Sequence, residues 1–241
     1  MTVGSVLGEA WSLYVTFFPR FFVLAAAIFL ITNLALATLD TLLDAGTSGG
    51  AALLSIVALS VAIVGSYWLQ GAFVFAVQDV RDGAFDASTN QIFERVRPHL
   101  GTLVVVGTLG GIGIAAGLLM LVVPGLLLLT WWALLAPVVV LEKKGVREAF
   151  RRSRTLVRGY GWTVFGVVLI AALLTGIAAT VVSALLAFLP PFLETWIGGT
   201  IAGAVAAPFG AIAITLLYFQ ITEGMLSVAT KAEFPPARTR I

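Results

Sequence analysis

Five basic residues, Lys143, Arg147, Arg151, Arg154 and Arg158, follow one another at steps of four, four, three and four. That spacing stacks side chains along one face of an α-helix. With Lys144 and Arg152, residues 142–158 hold seven cations against Glu142 and Glu148, a local charge of 7 − 2 = +5. Such a stripe attracts anions, at about 1 kcal/mol per cation close to an anionic leaflet. Two uses are open: a specific surface for lipid headgroups or an acidic partner, and a determinant of sidedness that needs only the charge. Ser153 and Thr155 stand among the arginines, where phosphorylation is chemically feasible.

Other chemistries find few residues to carry them. There is no cysteine and a single histidine, His99, which excludes disulfides, thiolate metal sites and multi-histidine metal centres. An intramembrane serine protease needs a serine and a base at one depth, yet His99 lies beside Pro98 in a polar segment, far in sequence from Ser55, Ser60, Ser66 and Ser183. An enzyme site built from His99, Glu94 and Asp86 has no supporting spacing. The glycines after Gly107 lack the Lys-Ser/Thr that ends a phosphate loop. The expectation is a protein without catalysis or cofactor, and the net charge of +2 gives no reason to expect a nucleic-acid partner.

The elements that would position the stripe are membrane spans. Apolar and aromatic residues make up 60% of the 241, charged ones only 11%, and mean hydropathy is +1.06. A soluble globule cannot cover itself with so few charges. Apolar stretches at 21–39, 43–78, 100–141 and 159–221 are broken only by Asp44 and Glu194. A crossing needs about 20 residues, so the last two must fold back, at Pro124-Gly125 and at Pro190-Pro191 with Glu194. Six spans result. They place residues 1–20, 79–99, 142–161 and 222–241 on one side, and these segments contain all 14 Lys and Arg; the opposite loops carry only Asp40, Asp44 and Glu194. The positive-inside rule makes the basic side cytoplasmic, with both termini there, in an inner (plasma) membrane. Reading the first span as a cleavable signal ending at Ala35-Leu36-Ala37 is the rival; it is longer than a usual signal core.

Each pair of spans follows a segment of helical period, which predicts three interfacial amphipathic helices and a threefold repeat, with units near 3–80, 85–141 and 146–223 and a flexible tail at 230–241. In the first, Val3, Val6, Leu7, Ala10, Trp11, Tyr14 and Phe18 face inward, opposite Gly4, Ser5, Glu9 and Ser12. In the second, Asp86 or Ser88 is the N-cap, Ile92, Phe93, Val96 and Leu100 face inward, and Glu94 and Arg95 outward. In the third, Val146, Phe150, Leu156 and Val157 oppose the basic stripe. Gly107, Gly111, Gly113, Gly117, Gly199 and Gly203 give small faces for helix packing, within the chain or between copies. Pro137 and Pro208 should kink the fourth and sixth spans. No ionisable residue lies near a midplane; Asp79 and Glu223 sit at helix ends where hydration suffices, and Asn33 and Gln70 are expected to hydrogen-bond across helices.

At 135–142, LAPVVVLE, then 148–159, EAFRRSRTLVRG, and Trp162, the chain resembles the membrane domain attached to bacterial glycerophosphodiester phosphodiesterases and its stand-alone six-span relatives. The resemblance implies an all-α membrane unit with a basic amphipathic segment before a span. It implies no phosphodiesterase activity, which resides in a separate soluble barrel. The functional expectation is a non-catalytic scaffold, regulator or lipid-organising component, whose partners are anionic headgroups, a protein or a second copy of the chain. The alternative is a small-solute or lipid transporter, favoured by a polar cavity lined by Asn33, Gln70 or Gln220.

Overall fold

The structure is a computed structural model that describes residues 2–44, 51–83 and 87–233. It is 90% helical, and no strand occurs among the described residues. The order is α1 (Val3–Thr16), α2 (Phe18–Asp44), α3 (Ala51–Arg81), α4 (Thr89–Val96), a 3₁₀ turn (Arg97–His99), α5 (Leu100–Met120), α6 (Val122–Trp131), α7 (Leu135–Leu141), α8 (Val146–Val157), α9 (Gly161–Leu186), α10 (Pro191–Leu193), a π turn (Glu194–Gly198) and α11 (Gly199–Glu233). Six segments are long and apolar enough to cross a membrane: those built on α2, α3, α5, the α6–α7 pair, α9 and α11. The chain is a multi-pass α-helical membrane protein.

Local chemistry sets several boundaries. Ser88 caps α4: its hydroxyl accepts from the Gln91 N–H at 3.4 Å while Gln91 Oε1 accepts from the Ser88 N–H at 2.9 Å. Asp86, the other candidate cap, lies outside the described residues, as do 45–50 and 234–241. The third and fourth spans part at Leu121, whose backbone is extended, rather than at Pro124-Gly125. Pro124 instead occupies the first turn of α6, where a missing N–H leaves no bond unmade. Gly117 and Gly125 face each other there: a Cβ on Gly117 would lie 2.9 Å from the Gly125 Cα, so α5 and α6 meet backbone to backbone.

The two span prolines behave differently. Pro137 has no N–H for the carbonyl four residues earlier, and the helix is broken just there, at Trp132–Leu134 between α6 and α7. The Leu135 N–H turns to the Trp132 carbonyl at 3.3 Å, which leaves the Trp131 carbonyl without its helical donor. α11, by contrast, continues unbroken through Pro208. It also runs to Glu233, so 230–233 are helix where a tail was expected.

α11 is the centre of the bundle. In its apolar window 61% of residues are buried, against 17–39% in the other five spans. Its small residues explain this: the Phe29 ring of α2 packs over Gly203, Thr175 of α9 lies against Gly210, and Ala204 and Ala213 are fully buried.

Candidate functional site

Three residues near the end of α11 each receive a polar group from a different part of the chain. Gln220 Nε2 donates to Glu9 of α1 at 2.8 Å. Tyr218 donates its hydroxyl to Glu142, at the end of α7, at 3.1 Å. Glu223 pairs with Arg81, the last residue of α3, at 2.6 Å. Glu9 of α1, Arg81 at the end of α3, Glu142 at the end of α7 and residues 218–223 of α11 therefore gather at one end of the bundle. Asp40 and Asp44 of α2 lie at the other end, bordering a cleft with Pro191 and Thr195.

The short helix α8 carries Arg147, Arg151 and Arg154 of the basic stripe at that end; Lys143 precedes its Gly145 cap and Arg158 is its extended C-cap, so the helical face expected over 143–158 is cut short at both ends. Lys143, Arg147, Arg151, Arg154 and Arg158 are all exposed. None has a carboxylate within ion-pair distance among the described residues. The other two cations are held differently. Arg152 Nε donates to both Glu142 oxygens, at 2.8 and 2.9 Å, beside the Tyr218 hydroxyl. Lys144 lies 4.0 Å from Glu148. Lys143, at φ +54°, turns the chain from α7 into α8, and Gly159, at φ +95°, turns it from α8 into α9.

The opposite face of α8 is anchored in the bundle. Ala149, Leu156 and Val157 are buried, and the Phe150 ring meets Trp132 edge-on at 5.0 Å. Ser153 is fully buried, and its hydroxyl donates at 2.7 Å to the Trp131 carbonyl released by the α6–α7 break. In this conformation Ser153 is closed to a kinase. Thr155 is exposed, its hydroxyl donating to the Arg151 carbonyl at 2.9 Å. The Arg154 guanidinium lies 4.2 Å over the Trp131 ring.

Several expected orientations are corrected. Glu9 is turned toward α11, not away from it, because Gln220 offers a donor; Trp11, expected inward, is 60% exposed, its ring meeting Tyr14 and Phe209. Tyr14 does point inward and donates to the Val205 carbonyl at 2.9 Å; burial pushes its phenol above the ordinary tyrosine value, so it remains a donor. Arg95 is exposed, as expected, but it is not merely solvated: its Nη1 bridges both oxygens of Asp79, at 2.7 and 2.8 Å, and its guanidinium lies over Phe75. Asp79 is correspondingly buried, held by a cation rather than by hydration. Glu94 pairs with Arg97 at 3.5 Å. Tyr218, Gln220 and Trp131 were not singled out for these contacts, and no local signal in the sequence marks them.

The glycines divide by helical phase. A Cβ on Gly107 would overlap the Tyr67 ring, one on Gly113 would meet Trp132 at 2.6 Å, and one on Gly203 would meet Phe29 at 2.9 Å. Gly199 is in ordinary contact distance of Asn33, whose Nδ2 donates to Thr200 at 3.5 Å. Gly111 packs on no neighbour within the chain: a Cβ there would touch nothing among the described residues. At 100° per residue, Gly110, Gly113 and Gly117 share the face toward α6 and α7, while Gly111 falls well outside it. It borders instead a cleft of about 510 Å³ that also takes in Gln70, Tyr67, Pro137, Thr175 and Thr215. Gln70 is exposed there without a hydrogen-bond partner among the described residues, and the Thr175 hydroxyl is buried without one. Asn33 and Gln220 do not line this cleft. Comparison of the chain with family models, with curated proteins and with solved structures finds no match.

Proposed function

We propose that this is a non-catalytic inner-membrane protein, a scaffold, regulator or lipid-organising component, which holds anionic headgroups on the exposed stripe of α8. The single observation behind this reading is the sorting of the seven cations. Glu142 and Glu148 take up Arg152 and Lys144, while Arg147, Arg151 and Arg154 on α8, with Lys143 and Arg158 at its two ends, stay exposed and have no carboxylate partner among the described residues. Cations retained for anchoring α8 would be expected to look like Arg152. On this reading α1, α4 and α8 lie at the cytoplasmic interface, each ahead of a helical hairpin in a threefold plan, and both termini are cytoplasmic.

The test is native mass spectrometry of the chain from bilayers of equal phosphatidylglycerol and phosphatidylcholine. The wild type is expected to retain phosphatidylglycerol in excess, and Arg147→Gln/Arg151→Gln/Arg154→Gln/Arg158→Gln to lose that preference. Equal retention by both proteins would overturn the assignment. Because the chain has no cysteine, single cysteines read sidedness directly: Thr155→Cys is expected to label from the cytoplasm and Thr195→Cys from the other side.

A second reading, transport of a small solute or lipid, is supported by the cleft beside the α6–α7 break. An unpaired amide and an unpaired hydroxyl within the spans are costly in hydrocarbon. Water or a polar ligand in the cleft would relieve that cost.

A further inference from the structure

A second, lateral groove of about 540 Å³ runs between α6 and the start of α9. Leu126, Leu127 and Trp131 form one wall, and Tyr160, Trp162 and Phe165 the other. Its volume is in the range of about 300–1,000 Å³ that small-molecule clefts occupy. The lining is hydrocarbon and aromatic ring over most of its length, open at the side, and Leu127 (47% exposed) and Trp162 (88% exposed) leave its rim uncovered.

Two arginines neighbour residues of this groove without lining it themselves. Arg154 lies over the Trp131 ring, so that wall carries a cation. Arg158 immediately precedes Gly159, whose left-handed turn leads into α9 and itself borders the groove. Both arginines are exposed and without a carboxylate partner among the described residues.

We infer that the α6–α9 groove seats one anionic phospholipid, with an acyl chain against Leu126, Leu127 and Phe165 and the phosphate held by Arg154 and Arg158. This rests on the reading of α8 as a headgroup surface and narrows it to one bound molecule. Charge complementarity selects the occupant. A phosphodiester of net negative charge matches two unpaired guanidinium groups, whereas a zwitterionic lipid brings a cation of its own toward them. A soluble phosphate would engage the arginines and leave the apolar walls bare. A lipid satisfies both halves.

The full chain is reconstituted with phosphatidylglycerol and phosphatidylcholine, washed in mild detergent and weighed by native mass spectrometry. The wild type is expected to retain one phosphatidylglycerol per chain. Leu127→Trp, which fills the groove and leaves every arginine in place, is expected to reduce that occupancy at least tenfold, and Arg154→Gln/Arg158→Gln to do the same. Retention by Leu127→Trp at the wild-type level, with loss only in the arginine variant, overturns the groove and leaves the headgroup surface standing. No preference for phosphatidylglycerol in the wild type overturns both. A measurement on the unmutated chain guards against misfolding of Leu127→Trp: phosphatidylglycerol with a photoreactive diazirine in its acyl chain is expected to label residues 123–131 and 159–165. Labelling spread equally over other exposed span residues, such as Leu53 and Ile177, overturns the proposal.

Discussion

Replacing Arg95 by glutamine removes the cation that faces a nearly dehydrated carboxylate. The Asp79 side chain is 12% exposed and that of Arg95 39%, so the two halves of the pair are unequally buried. An ion pair in water contributes about 0.2–1 kcal/mol, and breaking a buried one from one side costs about 3–5 kcal/mol. Arg95→Gln strands the more buried partner. It also removes the guanidinium from above Phe75, 4.3 Å from the ring centroid, which adds about 0.5–1 kcal/mol. A total of about 2–3 kcal/mol is expected for this variant. Asp79→Asn leaves an arginine that water still reaches and an amide oxygen that still accepts its hydrogen bond, so about 1 kcal/mol is expected. The double variant should cost less than the sum of the two by about 1–2 kcal/mol, because an uncharged amide is easier to leave behind than a carboxylate. Equilibrium unfolding in mixed micelles, followed by helical circular dichroism, gives all three differences. The reasoning is refuted if Asp79→Asn costs as much as Arg95→Gln, or if the single costs add to within about 0.5 kcal/mol.

The same assay tests the helix break: Ser153→Ala leaves the Trp131 carbonyl without its donor and is expected to cost about 1–3 kcal/mol, against less than about 0.5 kcal/mol for the exposed Thr155→Ala. Gly107→Leu drives a side chain into the Tyr67 ring and is expected to lower stability by about 1–3 kcal/mol or more. Gly111→Ala, in open space, is expected to be neutral or to stabilise the helix by up to about 1 kcal/mol; a loss there would place a neighbour on that face. Gln70→Cys is expected to react with a polar maleimide at least tenfold faster than Leu69→Cys, whose side chain is buried. Equal protection of the two would mean that the cleft is closed and dry.

The outcome at Gly111 separates what sequence decides from what it leaves open. By itself the sequence determined the six spans, because a helix in hydrocarbon satisfies its own backbone and needs only length and apolar side chains, both local properties. Its fine boundaries followed less closely, since Pro124 is as compatible with the first turn of a helix as with a loop. The phase of the basic stripe was legible within α8, where 147, 151 and 154 share a helical face, but not at its ends, where Lys143 lies in a left-handed turn and Arg158 in the extended cap; all five are exposed. The Ser88 cap was legible for the same local reason.

Tertiary structure alone decided which span lies at the centre and which polar groups meet. Every span is apolar all round, so no polar face tells the inside of a bundle from its lipid side. α11 takes the centre through small residues that other spans also contain. The contacts of Tyr218 with Glu142, Glu223 with Arg81 and Gln220 with Glu9 join residues 76, 142 and 211 positions apart. Nothing local foretells such partners. Arg95 and Glu9 look like solvated charges from their own helices, and Arg152 looks like any other arginine in the stripe. Only the neighbouring elements, by supplying a carboxylate or a donor at the right height, turn these three charges into fastenings, while Lys143, Arg147, Arg151, Arg154 and Arg158 keep no carboxylate partner among the described residues.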